Sequence, residues 1–181
     1  MVDRPGRGDG RRWFLIGAII GGVVSGSVVA ILSLLIPTVP LSVSVFVIAL
    51  MGVLVVLRDL GIAAIPFPQR PRQVPDRVLR LPLPTGAWMF GFEMGTGART
   101  HLTGAAPYIA IAASLLGGLL PAVWTGLGFG LGRGLISYAR RWSGHEVEWD
   151  RWTTRYGRVV VPVTSAVISA AAACVAVSLA S

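Results

Sequence analysis

The sequence predicts an all-α membrane protein, a polytopic bundle of about five transmembrane helices whose third helix is broken by glycine and proline. The 181 residues are 54% hydrophobic and 13% charged, with a mean hydropathy of +0.71, whereas about a quarter of the residues of soluble proteins are charged. The apolar residues also form uncharged runs near the ~20 residues that span a bilayer. We expect an arginine-rich cytoplasmic tail, 1–12, and one transmembrane domain, 13–181. The predicted spans are about 13–36, 41–57, 87–116, 119–138 and 159–179.

The first two spans follow from long uncharged runs. The arginine-rich tail resembles the start of a signal peptide, but the next apolar run exceeds the about 7–15 residues of a signal core, so we predict an uncleaved span. Pro37–Pro40 predicts a tight turn, and the second span ends at Arg58 and Asp59. The segment Pro66–Pro84 is too rich in proline for a helix and favours an extended, basic cytoplasmic loop; a partner-docking motif is the alternative.

The third predicted span carries charged residues at membrane depth. A charged side chain at the centre of a span costs roughly 2.5–3.5 kcal/mol on insertion scales and usually faces a polar interior. At 1.5 Å per residue, Glu93 lies about 9 Å below the cytoplasmic surface, and Arg133 on the antiparallel fourth span lies at a similar depth, so we predict an ion pair. The predicted substrate-binding or gating residues are Glu93, Arg99, Thr100, His101 and Arg133. The alternative for Arg99 is a side chain that reaches the outer interface.

Small residues predict where helices pack or bend. Glycines four apart share a helical face and allow close helix packing, and irregular backbone at membrane depth requires protein or a water-filled cavity beside it. The predicted packing or hinge positions are Gly91, Gly95, Gly97, Pro107, Gly126, Gly130 and Gly134. The G-x-G-x-x-G spacing near Gly126 lacks the preceding strand of a dinucleotide site, so we expect no cofactor there.

The last part of the chain predicts a polar loop and a fifth span. Arg140–Arg158 is expected to be a loop with aromatic residues at the membrane interface. His145–Glu148 lacks a fixed third ligand, so we predict a solvated segment and no metal site. Val159–Leu179 predicts the fifth span. A single thiol excludes an internal disulfide and two-cysteine motifs, and Cys174 is expected to be a small buried hydrophobic residue.

The arginine distribution predicts orientation. The glycine pair Gly117–Gly118 predicts a turn between the third and fourth spans. The N-terminus, 58–86 and 140–158 are arginine-rich, whereas 37–40 and 117–118 carry no charge. Placing the basic segments in the cytoplasm gives an N-terminus inside and a C-terminus outside, in a bacterial cytoplasmic (inner) membrane. The net charge of +8 is thereby explained without a nucleic-acid partner, and the bilayer is the expected partner.

Parts of the chain resemble a known family. The segment Arg58–Arg72, the pair Ala106–Pro107 and the glycine-rich run Gly126–Gly132 resemble the second half of CcdA/DsbD-type membrane proteins, in the LysE superfamily. Those proteins carry reducing equivalents across the bacterial inner membrane. Gly91–Thr100 is similar to the glycine/acid/threonine motif of nickel–cobalt permeases in that superfamily. The resemblance covers about residues 58–132 and implies a helical bundle.

The chain departs from that family at the reactive positions. CcdA-like carriers use two membrane cysteines and usually six spans, whereas this sequence has only Cys174 and five predicted spans. Thiol–disulfide exchange requires a second sulfur, so electron transfer by this chain alone is not expected. A retained fold would leave the cavity to a polar or ionic substrate.

Two classes of function remain. The first is a small transporter or permease that moves a small ion or metabolite past the polar site on the third span. The second is a non-transporting membrane subunit or scaffold that assembles with itself or with a redox or transport partner. No acid–base pair, nucleophile elbow or phosphate loop stands in a suitable context, so we expect no enzymatic activity and no cofactor.

Overall fold

The described part of the chain is an all-helical structure. The structure is a computed structural model that describes residues 7–37, 39–66, 78, 80–97, 104–142 and 145–178. Within these ranges there are six α-helices and no strand. They are α1 (Arg7–Ser33), α2 (Leu41–Asp59), α3 (Thr85–Thr96), α4 (Ala106–Gly117), α5 (Leu119–Trp142) and α6 (Glu146–Ser178). The all-α prediction is therefore confirmed for these residues.

Three described helices are long and apolar enough to cross a membrane. They contain the segments Gly10–Ser33, Leu41–Asp59 and Leu119–Ser137, which match the first, second and fourth predicted spans. The fifth predicted span forms the second part of α6. The third contains α3 and α4, each 12 residues long, or about 18 Å against the ~30 Å hydrocarbon core of a bilayer.

Large apolar side chains cover the outside of the long helices. Phe46 of α2 is 66% exposed, and Ile31 and Val28 of α1 are 61% and 52% exposed. Apolar surface on this scale is rare in soluble monomers, whereas in a bilayer the lipid chains would cover it. The described helices are thus compatible with a membrane protein, as the composition predicts.

Proline and glycine mark helix boundaries. Pro40 precedes the first residue of α2, where a proline without an N–H loses no helical hydrogen bond. Gly118 has a φ of +87° and separates α4 from α5. Glycine adopts this conformation without steric penalty, and it lies at the turn predicted from the sequence.

The first of two compact units combines most of α1 with α3 and the later part of α5. In this unit α1 and α3 run parallel and touch through their backbones. Gly91 lies against the carbonyl group of Phe14, and Gly95 against that of Ala18. On α1, Gly17 and Gly21 lie against the backbone of α3 in the same way.

Helix α5 also packs against α1 and runs antiparallel to it. Gly126 lies 2.6 Å, measured from the position a Cβ would occupy, from the Cα of Gly26. Gly130 lies against the carbonyl oxygen of Ala18, and Gly134 against the side chain of Leu15. A side chain at Gly126 or Gly130 would overlap the backbone of α1, so glycine is a steric requirement at these two positions. At Gly134 a side chain would displace only the end of the flexible Leu15 side chain.

The second unit combines α2, α4, the start of α5 and α6. Ile48, Val55, Ala105 and Ile109 form its buried apolar cluster, with α4 antiparallel to α2. Gly52 of α2 admits the side chain of Ser169 from α6, with 2.9 Å between the Ser169 Oγ and the position of a Cβ at Gly52.

α1 begins at Arg7, so the predicted tail 1–12 is helical from that residue onward. Two sequence predictions about local structure are wrong. Arg140–Arg158 is not a loop but the end of α5 and the start of α6. No proline or glycine interrupts 146–156, and acidic residues in the first turns complement the helix dipole. Cys174 is exposed and not buried. Most of Pro66–Pro84 lies outside the described residues.

Two glycines on α5 provide a matched test of the contact with α1. We expect Gly130→Ala to lower the midpoint of thermal unfolding in detergent, because its methyl group meets the α1 backbone and overpacking costs about 1–3 kcal/mol. Gly132 has nothing within 4 Å of a Cβ position. We therefore expect Gly132→Ala to leave the midpoint unchanged or to raise it, since alanine favours helix by about 0.5–1 kcal/mol. Equal shifts for the two variants would contradict the contact.

Candidate functional site

Glu93 and Arg133, the described charged residues of the predicted site, are arranged differently from the prediction. The Arg133 Nη2 lies 3.7 Å from the Met94 Sδ, and its guanidinium lies 5.6 Å from the centre of the Phe129 ring. Among the described residues, the ion pair with an N–O distance within 4.0 Å is the one between Arg58 and Asp59. Glu93 and Arg133 do not form such a pair, so the predicted ion pair between them is absent. Glu93 has other interactions.

Helix geometry explains this difference. Successive residues of an α-helix point about 100° apart, so when Met94 faces Arg133 of α5, the neighbouring Glu93 is turned away from it. Phe129 precedes Arg133 by one turn and offers its ring to the guanidinium. Matching the depth of two charges was therefore insufficient, because rotation about the helix axis decides which side chains meet.

The end of α3 is capped by side chains. Gly97 follows the helix with a φ of +67°, and a Cβ there would lie 2.9 Å from the Phe129 ring, so this position favours glycine. Ser25 of α1 donates a 3.0 Å hydrogen bond to the carbonyl oxygen of Thr96. The hydroxyl of Thr96 donates to the carbonyl oxygen of Glu93 at 2.9 Å. Carbonyl groups that a helix leaves unpaired at its end thus find partners here.

These contacts fix where α3 ends along α1. The hydrogen bond from Ser25 places Thr96 level with Ser25, which is about 22 Å along the apolar stretch that begins at Gly10. That stretch continues to Ser33, a further ~12 Å. The C-terminus of α3 therefore lies within the length of the apolar part of α1. Arg99, Thr100 and His101, the next predicted site residues, lie outside the described residues.

The start of α4 is held by a buried carboxylate. Asp59, the last residue of α2, has a side chain only 1% exposed. It accepts a hydrogen bond from the backbone N–H of Ala105, with N–O distances of 3.3 and 3.2 Å. Ser165 of α6 donates to its Oδ2 at 2.6 Å, and the Arg58 Nη1 lies 2.9 Å from its Oδ1. One carboxylate therefore connects α2, α4 and α6.

The residues around Ala105 leave room for this carboxylate and for the start of α4. A Cβ at Gly104 would lie 3.3 Å from the Asp59 Oδ2 and 2.7 Å from a methyl carbon of Val161, so glycine leaves the approach open. Pro107 lies in the first turn of α4, where its missing N–H is tolerated. It thus acts as a helix-start residue and does not interrupt a helix in the described structure.

An open groove of about 500 Å³ adjoins Asp59. Arg58 and the exposed Arg158 contribute positive charge to it, and Ala63–Ile65 and Val161 supply apolar walls. Arg58 also donates to the carbonyl oxygen of Ile65 at 3.3 Å. Since both carboxylate oxygens of Asp59 accept hydrogen bonds, the arrangement is suited to fixing helices together. No group of three or more His, Cys, Asp or Glu side chains suited to a metal ion occurs among the described residues.

Sequence reasoning missed Asp59 and Ser165 as interacting residues. The sequence places Asp59 at the end of the second predicted span, where a charged residue is ordinary. An acidic residue directly after an arginine at the end of an apolar run was the available pattern. Ser165 lies in an Ala- and Ser-rich helix, and no local pattern distinguishes it from the exposed Thr164 beside it.

Asp59 provides a test of the helix connection. We expect Asp59→Ala to lower the midpoint of thermal unfolding, because it removes the buried carboxylate that pairs with Arg58 and accepts hydrogen bonds from Ala105 and Ser165, at about 1–3 kcal/mol. Ser165→Ala in the Asp59→Ala background should then add little, since the acceptor of the Ser165 hydroxyl is already gone. Glu148→Gln, on the exposed start of α6, is the control and should not shift the midpoint. Fully additive losses from Asp59→Ala and Ser165→Ala would contradict the connection.

The chain was also compared with known proteins. No family model, no curated protein and no solved structure matches it. The resemblance to CcdA/DsbD-type proteins accordingly stays a prediction from the sequence.

Proposed function

We propose that this protein is a small transporter or permease of the bacterial inner membrane, with five spans and a discontinuous third span. The N-terminus lies in the cytoplasm and the C-terminus outside. A small ion or metabolite passes the residues that follow α3, which include Arg99, Thr100 and His101 in the sequence. Glu93 and Arg133 belong to the helices that border this site.

The end of α3 is the observation that carries the proposal. This helix stops level with Ser25, within the apolar length of α1. Irregular backbone at membrane depth is tolerated where protein or a water-filled cavity surrounds it. Secondary transporters place substrate sites at such interrupted helices. Charged and hydroxyl residues directly after the interruption support a polar site at that depth.

The caps on the two short helices give further support. Ser25 satisfies a carbonyl group at the end of α3, and Asp59 accepts from the N–H at the start of α4. Side chains from neighbouring helices thus stabilise two helix ends that a continuous span would not have. Such capping favours a stable break between α3 and α4 over a continuous helix that is only destabilised by its glycines.

A second function is favoured by a different observation. The backbones of α1, α3 and α5 touch at glycines, and close packing of this kind suits a rigid scaffold. In that case the protein is a membrane subunit that assembles with itself or with a redox or transport partner. Transport and scaffold functions differ in whether the purified chain alone moves a solute.

Flux across liposomes distinguishes these functions. Purified protein in liposomes should show charge displacement on a solid-supported membrane with at least one member of a panel of Ni²⁺, Co²⁺, inorganic anions and amino acids. We expect Arg99→Ala and Glu93→Ala to abolish that current, because each removes a charge at the proposed site. Arg151→Ala, an exposed position on α6, is the control and should preserve it. A current that survives both site variants, or no current for the whole panel, would favour the scaffold.

The proposed orientation predicts which segments are accessible from each side. In a Cys174→Ser background, His145→Cys should react with a membrane-impermeant maleimide only after the cytoplasmic face is opened. Pro37→Cys should react in intact cells, since the positive-inside rule places the 37–40 turn outside. Mass spectrometry of the labelled protein measures both. The reverse pattern would overturn the orientation and leave the helix contacts unaffected.

A further inference from the structure

A second cavity lies within the unit formed by α2, α4, α6 and the start of α5. Its volume is about 480 Å³, within the range of about 300–1,000 Å³ that small-molecule sites occupy. It lies towards the N-terminal end of α2, where Leu41 and Ser44 line it, together with Leu116 of α4 and Ala172 of α6. It is separate from the groove at Asp59, which has none of these residues.

One side chain lining this cavity has an unused hydrogen-bonding group. Ser114 is 2% exposed, and its Oγ has no hydrogen-bond partner among the described residues. A serine in a helix commonly donates to the carbonyl oxygen one turn earlier, as Ser169 does to Ser165 at 2.6 Å. A buried polar atom without a partner is unfavourable, so the hydroxyl of Ser114 indicates a ligand group within the cavity.

The remaining lining defines the chemistry of that ligand. Most lining residues are apolar, and Ser44 and Thr125 supply two further hydroxyls. None of the described lining residues is charged, so an ionised carboxylate or phosphate would be buried without a counter-charge. A plain alkane would fill the space but leave Ser114 unsatisfied.

We propose that this cavity binds an uncharged aliphatic amphiphile, a hydrocarbon chain that carries a hydroxyl or carbonyl oxygen. The oxygen bonds to the Ser114 Oγ, and the chain lies against the apolar walls from α2, α4 and α6. Two of the lining helices, α2 and α5, are candidate spans, so such a molecule can enter from the lipid phase. Binding at this site would occur whether or not the protein transports a solute.

Photolabelling tests the site. The protein in lipid nanodiscs is irradiated with a long-chain primary alcohol that carries a diazirine in its chain, and labelled residues are mapped by mass spectrometry. We expect label on the segments 110–117 and 168–172. Ser114→Ala should reduce it about fivefold, the equivalent of one neutral hydrogen bond. Ala110→Phe should reduce it by filling the cavity.

Controls separate binding in the cavity from general labelling by lipid-dissolved probe. Ser33 is also buried, donates to the carbonyl oxygen of Ala30 at 2.7 Å and does not line the cavity. Ser33→Ala should therefore leave the labelling unchanged. Equal labelling by the matched diazirine alkane, preferential labelling by the matched carboxylic acid, or label confined to outward-facing residues would each overturn the proposal. Unfolding midpoints of the variants, measured in the same nanodiscs, show that each is folded.

Discussion

The close contact of the α1 backbone with two other helices is the constraint on which the first unit depends. Lipid chains are as apolar as leucine, so the hydrophobic effect does not drive helices together within a bilayer, and packing at short range has to do so. Glycines on α3 and α5 lie against carbonyl groups of Phe14 and Ala18. Weak Cα–H···O contacts recur at such helix–helix interfaces. Side chains at these positions would separate the backbones and remove the contact.

This packing also determines where α3 ends. Gly91 and Gly95 fix the position of α3 along α1, which brings the last turn of α3 beside Ser25. The hydroxyl of Ser25 can therefore donate to the carbonyl oxygen of Thr96 and cap the helix. Without the glycine contacts, α3 could slide along α1 and its end would lose that partner. The position at which α3 ends is therefore a consequence of packing as well as of the glycine at position 97.

The sequence predicted what depends on composition and spacing along one helix. The positions of α1 and α2 follow from uncharged runs of sufficient length, that of α5 from an apolar run with one charged residue, Arg133, and the turn at Gly118 from a glycine pair. The sequence alone does not predict contacts that depend on the rotation of a helix about its axis or on residues far apart in the chain. Glu93 and Arg133 match in depth but not in direction, and Asp59 and Ser165 are separated by 106 positions. The polarity of 146–156 favours a loop, but a polar segment without proline or glycine breaks also forms a helix, as the start of α6 does.

A carboxylate at position 59 suits the three groups that contact it, a guanidinium, a hydroxyl and a backbone N–H. An isolated charge in a low-dielectric interior is strongly unfavourable, so Asp59 needs compensation from every side. Arg58 supplies the opposite charge, Ser165 a hydroxyl and Ala105 an N–H at the positive end of α4. A carboxylate at such a helix end contributes up to about 2 kcal/mol in partly buried geometries, and an amide would offer only part of this. Since each compensating group comes from a different part of the chain, α4 is held in place only when α2 and α6 are correctly packed. The connection therefore links the start of α4 to the packing of the whole second unit.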